Sequence, residues 1–281
     1  IPERMDMSKP GFIAALLFTA AVGLASCGSH ASVDRAQAPE QSASTTVGPF
    51  KVAHLASFAE PWAAAIEPGT GNVFVTEQAG TIKCYRPETG RSGTVSGAPA
   101  VDYGGQGGLG DVIIHPEFDK NRLIYISYVS SDNFGLTKFA KVIRAKLTIS
   151  DTPILTGITD IWQQIPATRG SGHFSHKMVF GPAGSDYERD IFIISGDRQK
   201  MHPAQRWDTN LGKIIRLTED GKVPKDNPFQ NKGLLAKSFW TLGHRNVLGI
   251  AFRKGGQLWS TEMGPKDGDE LNLIQKGANY G

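Results

Sequence analysis

From residue 50 onward the chain alternates between short apolar runs and polar turns, and one arrangement recurs. An apolar strand reaches a turn, usually marked by Pro, and a second apolar strand follows that ends in Ser or Thr. Residues 62–68 (WAAAIEP) lead to 73–76 (VFVT), 111–116 (DVIIHP) to 123–127 (LIYIS) and 177–182 (KMVFGP) to 191–195 (IFIIS). Residues 248–253 (LGIAFR), without the Pro, lead to 258–261 (LWST). Third strands follow at 141–147 (KVIRAKL) and 213–217 (KIIRL). The equivalent positions 68, 116, 182 and 253 are 48, 66 and 71 residues apart. Multi-stranded units of roughly 40–50 residues predict an all-β fold of the β-propeller type. The wider spacings predict inserted loops, where such folds carry their sites. The runs lack strict alternation, as expected of strands buried on both faces. No helical period extends over a dozen residues beyond the N-terminal apolar stretch. A β-sandwich of similar strands is the competing architecture.

Composition supports this picture. The 281 residues include 33 Gly and 16 Pro, too dispersed for collagen and too many for a long-helix protein. The net charge of +3 comes from 30 basic and 27 acidic residues, with no Lys/Arg cluster longer than two. That excludes the concentrated basic surface that nucleic acid requires.

The N-terminus predicts export. Arg4 and Lys9 precede a nearly unbroken apolar stretch over 11–26, too short to span a bilayer comfortably. Leu24-Ala25-Ser26-Cys27 then resembles a bacterial lipobox, with Cys27 as the acylated first mature residue; ordinary secretory cleavage is the alternative. The expected organisation is a lipoprotein-type signal over 1–26, a disordered Ala/Ser/Thr/Gln-rich tether over 27–49, and a propeller domain over 50–281. The protein is then periplasmic, or anchored to a bacterial membrane through Cys27 alone. Cys84, the other cysteine, lies in a strand-like run and reads as a small packing residue.

Four segments carry candidate chemistry. Gly105-Gln106-Gly107-Gly108-Leu109-Gly110 matches a dinucleotide fingerprint, but strand follows it where a helix N-terminus would have to hold the pyrophosphate. It reads instead as a tight loop projecting Gln106 into a cavity. His173-Phe174-Ser175-His176 lies in a Gly/Ser-rich loop before a strand, and His suits proton transfer near neutral pH. His-x-x-His without a third ligand is weak support for a metal. Arg245-Asn246, before the fourth repeat, offers a rigid donor fork and an amide. Residues 264–270 (GPKDGDE) supply carbonyls and carboxylates, hard ligands of the kind Ca²⁺ takes, without EF-hand spacing.

Together these segments resemble the soluble PQQ-dependent glucose/sorbosone dehydrogenase family, especially its aldose sugar dehydrogenase branch. The resemblance rests on PWAAAIEPGTGNVFVTEQAG (61–80), GQGGLGDVIIHPEF (105–118), GHFSHKMVFGPAG (172–184), AQRWDTNLGKIIRLTEDGKVPKDNPF (204–229), LGHRNVLGIAF (242–252) and LWSTEMGPKDGDELNLIQKGANYG (258–281), in family order. It implies a six-bladed β-propeller, of which about four blades fall in this chain, holding pyrroloquinoline quinone (PQQ) and Ca²⁺. It implies oxidation of the anomeric hydroxyl of aldose sugars to lactones, with electrons passed to a quinone- or cytochrome-like acceptor other than oxygen. By position His173 resembles the catalytic base, Gln106 a substrate-side amide, and Arg245 and Asn246 residues beside the quinone, Arg245 also touching substrate. Gly264 and Pro265 match carbonyl ligands of the cofactor's Ca²⁺, and Glu270 and Tyr280 part of a second Ca²⁺ site.

The departures from the family pattern are specific. Gly172 stands where the glucose-oxidising branch has an aspartate, and Arg198 where it has a substrate glutamine. Val247-Leu248 replaces a usual Pro-Gln, and His176-Lys177 a common Gly-Arg. These point to a sugar preference other than strict glucose. The motif at 279–281 normally continues, so two further blades are expected in a complete ring, and 1–281 alone is expected to bind PQQ poorly. Two rival functions fit the same scaffold: a non-catalytic binding module, which has no use for a base at His173, and a Ca²⁺-dependent lactonase or other hydrolase, which needs side-chain carboxylates converging on its ion.

Overall fold

The computed structural model describes residues 44–47 and 50–281. The signal segment, the lipidation site at Cys27 and most of the tether lie outside the described residues. The end of the stretch expected as tether is strand: β1 (Ser44–Val47) pairs antiparallel with β2 (Phe50–Ala53), in a unit of its own.

From residue 56 on, the repeats become sheets. The first is the antiparallel meander β3 (Pro61–Ile66), β4 (Val73–Glu77), β5 (Thr81–Arg86) and β6 (Arg91–Val95). The second is β7 (Leu109–Ile114), β8 (Leu123–Asp132), β9 (Thr137–Thr148) and β10 (Ile154–Gln163). The third is β11 (Ser175–Phe180), β12 (Ile191–Ser195), β13 (Lys213–Leu217) and β14 (Phe239–Leu242). The fourth has three described strands, β15 (Val247–Phe252), β16 (Leu258–Glu262) and β17 (Glu270–Ile274). The first strands lie in series, β3 against β7, β7 against β11 and β11 against β15. These are four blades of a β-propeller, and each strand pair expected from the sequence forms the first two strands of one blade.

The core sits in the seams between blades, which explains the unbroken apolar runs. In β12, Ile191 and Ile193 pack toward the second blade, while Phe192 packs toward the fourth. In β8, Ile124 and Ile126 join Phe74, Ile82 and Cys84 of the first blade, while Tyr125 joins Met178 and Ile191 of the third. Side chains alternate along a strand, so a strand covered on both faces must be apolar at every position. β12 and β13 are accordingly buried throughout, whereas in β16 only Leu258, Ser260 and Glu262 are. Cys84 is a fully buried packing residue, as its sequence context predicts.

Candidate functional site

In the third blade, the entry to β11 and the connection from β12 to β13 carry strained backbone. His173, Ser175 and His176 have φ of +49°, +62° and +45°, and Arg198, Gln199 and Met201 lie between +57° and +59°. Each such non-Gly conformation costs on the order of 1 kcal/mol or more, and such outliers gather where side chains must be aimed.

His173 is nearly buried, and its Nδ1 lies 2.7 Å from Asp197 Oδ1. A carboxylate only accepts, so Nδ1 carries a proton, and in the neutral imidazole Nε2 is the nitrogen with the lone pair. Nε2 makes no hydrogen bond among the described residues, and the side chain keeps a small exposure. Asp197 is itself held, with Oδ1 accepting from the Gln199 amide (2.7 Å) and Oδ2 from the Met201 amide (3.1 Å). The backbone N–H of His173 donates to Gln106 Oε1 at 2.6 Å. Gln106 is thus half-buried against the His173 backbone, and strand β7 follows its loop as expected.

Two bonds tie the fourth blade to this corner. Asp197 N–H donates to the Arg245 carbonyl (2.8 Å), and Ser175 Oγ to Asn246 Oδ1 (3.1 Å). The Arg245 guanidinium donates to the carbonyls of Met263 (2.8 Å) and Gly264 (3.1 Å). Beneath it, buried Glu262 accepts from the backbone N–H groups of both Arg245 and Asn246, and its Oε2 lies 2.9 Å from His244 Nδ1. The structure therefore gathers Gln106, His173, Arg245, Asn246 and Gly264 into one cluster.

The remaining expected residues stand apart from it. Pro265 is in an exposed turn, where its carbonyl accepts from Gly268 N–H (3.3 Å). Glu270 Oε2 accepts from Asn272 (2.9 Å). The Tyr280 hydroxyl donates to the Leu273 carbonyl and accepts from Gln275 N–H, and its ring stacks on His244 at 5.0 Å. Its phenol is thus fully engaged within the fourth blade. Among the described residues, no three His, Cys, Asp or Glu side chains converge as a metal centre.

Arg198 departs from the substrate-side role its position suggests. It is buried, donates to the carbonyls of Gly172, Lys138 and Gly170, and lies over the Phe174 ring. Burial pushes its pKa down to about 10. It secures the 170–172 loop beneath the base. His176 is fully buried with both ring nitrogens unpartnered. Burial, with Lys177 and Arg198 nearby, pushes its pKa down to about 3. Only Gly fits at position 110, where a Cβ would stand 2.1 Å from His176 Cε1.

The residue that sequence reasoning missed is Asp197. Its signal was present in the repeat. An acid follows the second strand's last Ser or Thr at Glu77, Asp197 and Glu262, and each bonds the loop before its own blade's first strand.

Cofactor fit can be judged from the donors. The Asn246 Nδ2 amide is buried without a partner beside a half-buried guanidinium, a pair of donors suited to the oxygens of an anionic quinone. Ca²⁺ takes six to eight oxygens, so the Gly264 and Pro265 carbonyls would make up only part of its shell.

Residues 58–281 match the family described as glucose/sorbosone dehydrogenase. The chain is 34% identical to aldose sugar dehydrogenase YliI of Escherichia coli (strain K12), over 79% of this chain and 58% of that protein. The crystal structure of the soluble E. coli enzyme in its apo form superposes with a TM-score of 0.73, covering 79% of this chain and 62% of that one. Quinoprotein glucose dehydrogenase B of Acinetobacter calcoaceticus is 34% identical over 74% of this chain and 47% of its own length. The PQQ-bound aldose sugar dehydrogenase of Streptomyces coelicolor is 27% identical with a TM-score of 0.69, covering 80% of this chain and 63% of that one. The chain thus spans about half the length of the relatives it matches.

Proposed function

The chain belongs to the glucose/sorbosone dehydrogenase family, and from that premise we propose a PQQ-dependent oxidoreductase that oxidises the anomeric hydroxyl of aldose sugars to the lactone and passes electrons to an acceptor other than oxygen. The observation that carries this reading is the His173–Asp197 pair, whose Nε2 makes no hydrogen bond among the described residues and whose loops are bonded to the Arg245 carbonyl and the Asn246 side chain. His173 Nε2 takes the proton of the sugar hydroxyl. Asp197 fixes the tautomer and stabilises the imidazolium that forms. Gln106 holds the base's backbone and offers its amide N–H₂ toward the sugar. Arg245 and Asn246 would hold the quinone oxygens, Arg245 at the point where negative charge gathers. Bound PQQ supplies the two-electron acceptor, and the protein supplies base, orientation and field. The carbonyls of Gly264 and Pro265 would contribute to the Ca²⁺ that accompanies it, and Glu270 with the Tyr280 carbonyl to a second Ca²⁺. Export, with Cys27 as a lipid anchor, belongs to the same proposal and rests on residues 11–27 alone.

The test is reduction of an artificial electron acceptor by the protein in its full natural length, with a panel of aldoses. PQQ and Ca²⁺ are each added or withheld. Sugar-dependent reduction that needs PQQ supports the reading, and its absence across the panel overturns it.

A further inference from the structure

Gly172 immediately precedes the base. Its φ is not in the left-handed region, so its backbone would admit a side chain, which would have to displace only the end of the Gln199 side chain. A Cβ there would lie 2.7 Å from both Cδ and Oε1 of Gln199 and 2.9 Å from its Nε2. The amide of Gln199 occupies the place where a side chain at 172 would begin, next to His173.

Gln199 is held there at a cost to the backbone. It is exposed, in an extra-loop position with φ of +59°, a conformation that Gly would adopt without strain. Its backbone N–H donates to Asp197 Oδ1, the oxygen that also receives His173 Nδ1. One carboxylate thus fixes both the base and the backbone of Gln199. The Gln199 side-chain amide has no hydrogen bond among the described residues, so the strain gains nothing there through that side chain. Gln106 accepts from the His173 backbone N–H, so two glutamine amides lie against the backbone of residues 172 and 173, and neither N–H₂ group donates among the described residues.

We propose that Gln199 is a specificity-determining residue, whose amide grips the sugar hydroxyl next to the one that His173 deprotonates. This rests on the sugar-oxidising reading above. Gly172 sits one residue from the base, so an amide lying on it meets the neighbouring hydroxyl and not a distant one. In an aldose oxidised at the anomeric carbon, that neighbour is the hydroxyl at C2. A neutral hydrogen bond of this kind is worth a factor of about 3–10 in affinity.

The experiment compares wild type, Gln199→Ala and Gln199→Gly with glucose, its C2 epimer mannose and 2-deoxyglucose. KM and kcat are measured with PQQ present, and sugar contact is measured by saturation-transfer NMR on protein without cofactor. Both variants should raise KM for the sugar preferred by wild type by about 3–10-fold, with kcat changed less than about twofold. They should leave 2-deoxyglucose within about twofold of wild type and weaken the NMR contact at C2. The thermal midpoint of Gln199→Ala should not move, since the side chain is exposed and unbonded, whereas Gln199→Gly should raise it slightly by relieving the positive φ. An active wild type whose variants keep KM, the order of preference among the three sugars and the C2 contact overturns this inference alone. A wild type that neither oxidises nor contacts any of the sugars overturns the sugar-oxidising reading and this inference with it.

Discussion

The third and fourth blades carry the same device and use it differently. In each, a histidine in the loop before the first strand meets an acid at the end of the second. The pairs are His173 with Asp197 at 2.7 Å and His244 with Glu262 at 2.9 Å. In the fourth blade everything is consumed. His244 is fully buried and its Nε2 accepts from Thr241 Oγ1 at 2.8 Å. Glu262 also binds two backbone N–H groups. In the third blade Asp197 spends its second oxygen on the loop, and His173 Nε2 is left open. A His–carboxylate pair with no free nitrogen can only hold structure. One with a free nitrogen can move a proton. The fourth-blade pair holds the Arg245-Asn246 backbone, where the Arg245 carbonyl accepts from Asp197 N–H and Asn246 Oδ1 from Ser175 Oγ.

The sharpest way to break this contrast is His173→Ala, expected to lower kcat by roughly 10²–10⁴-fold with little change in stability. If His173 only held structure as His244 does, urea unfolding would shift and turnover per folded molecule would not. Asp197→Asn comes next, with kcat falling on the order of 10²-fold as the imidazole loses its tautomer control, and substrate binding largely kept. A variant that turns over normally would make Asp197 a loop anchor and nothing more. Glu262→Ala tests the other pair. It strands His244 Nδ1 and two backbone N–H groups in a buried site, and should cost about 3–5 kcal/mol in urea unfolding. A stability close to wild type would contradict the anchoring role.

The smallest expected effect concerns His176, which has no carboxylate at all. Its folded pKa of about 3 lies below the ordinary 6.5, so between these values the unfolded chain binds more protons. Stability contributed by the neutral imidazole is complete above pH 6.5 and drains away as pH falls toward 3, by on the order of a few kcal/mol. His176→Phe should flatten the pH dependence of the urea midpoint in that window. An unchanged slope would assign the acid sensitivity to other groups.

Much of this was legible in the chain. The β12 run IFIIS reads as a two-sided buried strand because both neighbouring blades demand apolar contacts from alternate residues. The turn at Pro116 and the strand after Gly110 settle the fate of the glycine-rich loop locally. Gln106, His173, Arg245 and Asn246 were recognisable from their motifs, and the structure brings them together. Ser44–Val47 was not legible as strand, since a polar, β-branched stretch reads equally well as tether.

The sequence by itself determined the strands, their grouping into blades and the residues at each loop, because hairpin pairing and face burial are set by neighbours along the chain. Only the tertiary structure decided which histidine keeps a nitrogen without a partner among the described residues. That depends on partners 24 and 18 residues away, and on the seam between blades, where Asp197 reaches the Arg245 carbonyl. A side chain's free nitrogen is defined by what fails to reach it, and no stretch of sequence around His173 or His244 records that.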